Sequence, residues 1–299
     1  HKMGFFFNKP NKCSAGSSRQ GSRCVRHTPP DSHKVKVGDK CKLDGLSRCN
    51  PNDKALKPII ARPGGKTQLA DRIIKKMRPH RVYNEPFVGG GAVFLKKPLA
   101  QKNYINDKDK DVIKTYKAFK NSSGFNKCDL TPSRRRFNRI KVKVHKSACD
   151  VAYLNKLSFG SGGKAYGGEK KFNRRRSDIG IKYQKAHKNE YKEKLKNTTI
   201  TSEDFRKAMK RADSKETVHF LDPPYVKGSE IYKEKGVTPK EVCDTARQMK
   251  GQVILTYDNN PEVRKHCSKG FKMQKVSTRY TLSANSNNKA SKELLMVKN

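Results

Sequence analysis

The chain has 299 residues, of which 33% are hydrophobic and 32% charged, enough for one α/β domain with an inserted module or two modest domains. No run approaches the roughly 18 apolar residues of a membrane span, and Phe5-Phe6-Phe7 is too short for the apolar region of a secretory leader, so a membrane protein is excluded and secretion is not expected. Lys and Arg total 69 against 27 acidic residues, a net charge of +42, and such an excess repels itself until a polyanion neutralises it. Nucleic acid is the natural partner, because phosphates release condensed counterions when Lys and Arg replace them.

In chain order, residues 1–56 are rich in Gly, Ser, Pro, Asn, Lys and Arg, with little apolar periodicity. They read as a basic, loop-rich or disordered arm. Cys13, Cys24, Cys41 and Cys49 lie there without the close C-x2-4-C pairs of zinc modules, so no metal is expected. Disulfides Cys13–Cys24 and Cys41–Cys49 are geometrically possible, with free thiols as the alternative. Cys128, Cys149, Cys243 and Cys267 read as isolated structural residues.

From Lys57 the pattern changes to short apolar runs alternating with helical stretches. Lys57 to Lys66 (KPIIARPGGK) reads as a turn, with a helix over Thr67–Met77. Arg81–Glu85 reads as a strand, Phe87–Gly91 as a glycine-rich loop, and Ala92 as a helix start. Asn103–Asn106 is the next predicted strand and Asp109–Lys120 the next helix. Between Asn121 and about Thr198 the alternation lapses into a polar, basic, partly helical stretch that looks inserted. Thr217–Leu221, Gln252–Tyr257, Lys272–Ser277 and Glu293–Lys298 complete the predicted strands. Strands alternating with helices indicate an α/β fold with a doubly wound, mostly parallel sheet.

Four constellations carry chemistry. Glu85-Pro-Phe-Val-Gly-Gly-Gly91 follows a strand, and its glycines permit close backbone approach to a ligand at the strand's carboxyl end. Asp107 stands 20 positions after Phe87, the interval at which an acidic residue commonly accepts hydrogen bonds from ribose. No GxxxxGK[ST] sequence is present, which disfavours a phosphate-cradling loop. Asp222-Pro223-Pro224-Tyr225 sets a carboxylate before two stiffening prolines and an aromatic ring. An exocyclic amine could donate to Asp222 and to the Pro223 carbonyl while Tyr225 stacks on its base. Pro63-Gly64-Gly65-Lys66 could bring backbone and ammonium to a carboxylate.

In order and spacing these segments resemble the Dam-like (D12 class) N6-adenine DNA methyltransferases. The resemblance spans about Lys57 to Asn299 and extends to Ala152–Gly160 (AYLNKLSFG) and Glu293–Asn299 (ELLMVKN). It implies a Rossmann-like methyltransferase sheet, formed by residues 57–120 and 199–299, with a mainly helical target-recognition insert at 121–198. It also implies S-adenosylmethionine as methyl donor and adenine N6 of a flipped base in double-stranded DNA as acceptor. By that resemblance Lys66 lies near the methionine part of the donor, Glu85, Phe87, Gly89 and Gly91 line its loop, and Asp107 meets its ribose. Asp222, Pro223, Pro224 and Tyr225 handle the adenine, with Asp222 also close to the donor. The family usually has an aromatic residue, often Trp, where Arg62 stands, and this chain has no Trp.

Within the insert, Arg134, Arg135, Arg136, Arg174, Arg175 and Arg176 can contact phosphates or guanine edges, with phosphates favoured. Lys164 lies in the glycine-rich stretch Ser158–Phe172, which suits entry into a groove. The competing reading is a structural DNA-binding protein on a methyltransferase fold, with little catalysis. A third is RNA methylation. The arm's GSSRQGSRCVRHTPP segment also resembles basic, Cys-containing segments of virion proteins from large DNA viruses. The expected setting is intracellular and DNA-associated, extending to packaging in a virion.

Overall fold

Continuous apolar runs make the two central strands. Thr217–Leu221 is buried at every position and Gln252–Asp258 at all but the last. Strands covered on both faces belong to a parallel sheet with helices above and below. The computed structural model describes residues 17–20, 23–26, 55–62, 64–126, 128–167, 177–225, 237–279 and 290–299. Near its start, β1 (Ser17–Gln20) and β2 (Arg23–Arg26) pair antiparallel, Ser17 opposite Arg26. The arm is therefore not wholly without structure. The signal for this was Gly21-Ser22, a dipeptide typical of tight hairpins. The pairings considered for Cys13, Cys24, Cys41 and Cys49 lie outside the described residues, as do Arg174, Arg175 and Arg176.

The main sheet among the described residues has seven strands. They are β3 (Val82–Glu85), β4 (Lys102–Asn106), β5 (Thr198–Thr201), β6 (Thr217–Leu221), β7 (Gln252–Asp258), β8 (Lys272–Arg279) and β9 (Ala290–Lys298). Their order is β5-β4-β3-β6-β7-β9-β8. The first five are parallel, and β9 runs antiparallel between β7 and β8. From β3 the chain moves outward through β4 to β5, then returns to place β6 on the other side of β3. The carboxyl ends of β3 and β6 therefore flank a topological switch point, where open α/β sheets bind ligands.

The helices are α1 (Ala70–Lys76), α2 (Lys110–Lys120), α3 (Arg134–Lys141), α4 (Ala148–Leu157), α5 (Ser177–Ala186), α6 (Lys188–Lys196), α7 (Phe205–Ala212), α8 (Pro239–Gln248) and α9 (Pro261–Cys267). Alternate side chains of β7 show how they divide. Ile254 belongs to one cluster with Ile73 of α1, Tyr116 and Phe119 of α2, and Tyr191 of α6. Val253, Leu255 and Tyr257 pack with Met209 of α7, Val242 of α8 and Val263 of α9. Because neighbouring strand residues point to opposite faces, these are two hydrophobic layers, one on each side of the sheet. Phe137 and Ile140 of α3 form a third, smaller cluster with Tyr153, Leu154 and Leu157 of α4.

Three expectations need correction. The helix at Ala92 is a succession of turns, closed by Leu95 N–H to Gly91 C=O at 2.9 Å and Lys97 N–H to Val93 C=O at 2.9 Å. Val93, Phe94 and Leu95 are all fully buried, which a one-faced helix does not allow, and Pro98 stops the run. Strand β5 (TTIT) went unread because a short Thr-rich edge strand lacks the apolar run of a central one. Finally, the four later cysteines are not isolated. Cys128 is bonded to Cys149 and Cys243 to Cys267, with Cα separations of 5.2 and 5.4 Å.

Candidate active site

Glu85 ends β3 and points into the protein. It is buried, accepts a hydrogen bond from Tyr83 Oη at 2.6 Å, and receives the backbone N–H of Phe94. Burial raises its pKa from 4.5 to about 8, and the nearby Asp222 carboxylate adds to the rise. Glu85 is therefore largely protonated at neutral pH and places no full negative charge beneath Asp222.

The loop after Glu85 is held by its own backbone. Val88 N–H bonds to Asn106 C=O at 2.9 Å, and Gly89 C=O accepts from Tyr116 Oη at 3.1 Å. A Cβ at Gly90 would collide with the Ile60 carbonyl, so only glycine lets these strands of chain close together. Gly89 N–H donates to Asp107 Oδ2 at 2.8 Å, and Asp109 N–H donates to Asp107 Oδ1 at 2.9 Å. Burial pushes the Asp107 carboxyl upward, while Arg62 and these two N–H groups oppose it. Across the same opening Arg62 forms an ion pair with Asp109, the N-cap of α2, at 2.5 Å.

The second half of the site follows β6. Asp222 Oδ1 accepts from Thr256 Oγ1 and from Lys66 Nζ, each at 2.9 Å. Burial raises the Asp222 carboxyl, and Lys66 and Thr256 counter that. Lys66 Nζ also lies 3.8 Å from Glu293 Oε2 and 4.8 Å from the centre of the Tyr225 ring. Tyr225 Oη donates to Glu293 Oε2 at 2.7 Å, and its ring packs 6.0 Å from that of Tyr257. Phe87 packs against Phe205 of α7 at 5.2 Å.

One cleft of about 1670 Å³ joins these parts. Its wall includes Arg62, Lys66, Glu85, Phe87, Gly89, Gly91, Asp107, Asp222, Pro223, Pro224 and Tyr225, so the structure gathers all the predicted donor and acceptor residues. Lys164 joins the same wall.

Residues 63–282 match the sequence profile of the D12 class N6 adenine-specific DNA methyltransferases. The chain belongs to that family. This methyltransferase is also 28% identical over 281 residues to the type II methyltransferase M1.LlaDCHI of Lactococcus lactis subsp. cremoris, covering 82% of this chain and 95% of that one. Among solved structures, it is similar to the rRNA methyltransferase AviRa of Streptomyces viridochromogenes, with 10% identity and a TM-score of 0.38 over 84% of this chain and 93% of that one. A SAM-dependent O-methyltransferase of Thermotoga maritima gives 10% identity and a TM-score of 0.35, over 88% and 71%.

Family membership makes S-adenosylmethionine the methyl donor, and the methyltransferase's cleft fits it. The close packing that Gly90 permits against Ile60 sets the loop's backbone along the cleft wall. Each Asp107 oxygen uses one lone pair on a backbone N–H and keeps another for a hydroxyl donor. Lys66 supplies a cation to the same wall.

Arg134, Arg135 and Arg136 stand apart from this cleft. Arg134 and Arg135 are exposed on the first turn of α3, Arg134 lying over the Tyr166 ring at 5.2 Å. Arg136 is paired with Asp129 at 2.5 Å and lies 4.6 Å over the Tyr153 ring, which reduces its reach toward a base edge. Sequence reasoning missed Thr256 and Glu293. Glu293 had a signal: a carboxylate that leads a buried apolar strand needs a partner.

Proposed function

We propose that this methyltransferase modifies specific sites in duplex DNA, drawing an adenine out of the stack into the end of the cleft lined by Asp222 and Tyr225. The single observation behind the reading is Lys66. Its ammonium reaches Asp222 at 2.9 Å while its own loop lines the donor half, so the two halves meet at one side chain. Small-molecule sites usually enclose roughly 300–1,000 Å³. A cleft of about 1670 Å³ has room for a donor and a base together.

Asp107 and the Gly89–Gly91 backbone would hold the nucleoside part of S-adenosylmethionine, and Lys66 its carboxylate. The donor supplies an electrophilic methyl group on a sulfonium. The residues of the chain do the rest by positioning. Asp222, an acceptor kept in place by Thr256 and Lys66, takes a hydrogen bond from the adenine amine. Tyr225 stacks on the extruded ring, offsetting part of the few kcal/mol that unstacking costs. The amine proton leaves to water after transfer, so Asp222 orients the amine and is not assigned as a base. Residues 121–198 form the target-recognition insert, with Arg134 and Arg135 on phosphates and Lys164 at the cleft mouth.

The test is transfer of tritiated methyl groups to unmethylated plasmid DNA. Asp222→Ala should lower incorporation by at least about a hundredfold, the scale of losing a transition-state hydrogen-bond partner. Incorporation that survives the substitution overturns the site. RNA of equal sequence, offered in competition, should not reduce it.

A further inference from the structure

Glu293 has no direct place in the cleft wall, yet it touches both halves of the site. It sits in β9, opposite Asp258 at the carboxyl end of β7, and is 1% exposed. Its Oε2 accepts the Tyr225 hydroxyl at 2.7 Å and lies 3.8 Å from Lys66 Nζ. A buried carboxylate is costly unless it is paired and hydrogen-bonded. Here the pairing goes to the one lysine that also holds Asp222 and to the one tyrosine that ends the Asp222–Tyr225 motif.

We infer that Glu293 is a positioning residue for the reaction: it fixes the Tyr225 ring in the orientation that receives the base. The inference rests on the base-stacking role proposed for Tyr225 above. A ring free to turn must be ordered when the base arrives, and that ordering subtracts from binding. A charge-assisted hydrogen bond to a carboxylate on the rigid sheet fixes the ring beforehand. The Lys66 ammonium over the ring and the Tyr257 ring beside it limit the remaining freedom. Glu293 thus ties the last strand of the sheet to a motif 68 residues earlier in the chain.

The test is a double-substitution cycle on the full chain, read as kcat and KM for unmethylated plasmid DNA, with donor affinity measured separately by calorimetry. Glu293→Ala and Tyr225→Phe should each lower kcat/KM for DNA by roughly ten- to a hundredfold, the scale of a lost hydrogen bond to a charged group. Combined, they should be no worse than the worse single change, because both remove the same bond. Glu293→Gln, whose amide oxygen still accepts, should recover most of the loss. Donor affinity should stay within about threefold throughout, since Lys66 keeps Asp222. Additive losses, or donor affinity falling as far as DNA turnover, would overturn the inference. If Glu293→Ala does not fold, the cycle runs with Glu293→Leu, which fills the space without offering an acceptor. Tyr225→Phe should then cost less in that background than in the parent, and an equal cost overturns the inference. If Tyr225→Phe is silent while Asp222→Ala abolishes transfer, only the role of Glu293 falls. If Asp222→Ala is also silent, the site itself falls.

Discussion

Glu85 shows how a single side chain can be readable in position and hidden in state. Its place before the glycine loop is plain in the sequence, but its protonation depends on burial, on Tyr83 and on the Asp222 carboxylate, which arrives from 137 positions later. Folding raises its pKa from 4.5 to about 8. Between those values the folded chain holds a proton that the unfolded chain has released. Stability from this residue is therefore greatest below about pH 4.5, falls as pH rises through the window, and is level above about pH 8. Glu85→Gln removes the ionisation while keeping an acceptor for Tyr83. Thermal melts of the donor-free protein should coincide with the parent at pH 4 and exceed it by several degrees at pH 8.5. A melting difference that is the same at both values would refute the raised pKa. Glu293 and Thr256 were harder to foresee for a related reason. Thr256 lies in no motif segment, Glu293 opens ELLMVKN with no chemical role attached to it, and each acts through contacts that exist only once the chain has folded.

At the scale of elements, the sequence was most legible where burial was most complete. β6 was read to the residue because every position of Thr217–Leu221 is covered, and β7 to within one residue. The edge strand β5 and the turns after Gly91 were lost where tertiary contacts outweigh local pattern. The disulfides were illegible because spacing says nothing about which helices meet. The Cys128–Cys149 bond closes a loop of 21 positions that contains all of α3. Within that loop seven basic residues stand against Asp129 alone, and Val142 and Val144 are 79% and 85% exposed. α3 has only Phe137 and Ile140 buried, so the bond supplies much of what anchors it. A loop of this length implies about 3 kcal/mol from restricting the unfolded chain. Replacing both cysteines by Ala should lower the melting temperature and speed amide exchange across Arg134–Lys141, while the amides of β7 keep their protection. Uniform acceleration across both elements would show that the bond does not act on α3 in particular.

For the molecule as a whole, topology and charge divide the work. Strand order alone brings the ends of β3 and β6 together, so segments separated by more than a hundred residues converge without any long-range sequence signal. Inside the resulting cleft the charges are matched at close range: Arg62 with Asp109, and Lys66 with Asp222 and Glu293. The net +42 is instead spread over the whole chain. Exposed charge is screened by salt over about 10 Å at 0.1 M, whereas partly buried pairs are screened much less. The two ligands should therefore respond differently to ionic strength. If six to ten phosphates are neutralised, DNA affinity should fall about 10³- to 10⁵-fold between 50 and 200 mM salt. Donor affinity over the same range should move by no more than about twofold, because the contacts proposed for it lie among paired and half-buried groups. Anisotropy of a labelled duplex and calorimetry of the donor, run in the same buffers, measure both. A slope of log K against log salt shallower than about −4 would mean fewer than about five phosphate contacts, and the basic surface would then serve something other than the DNA held at this cleft.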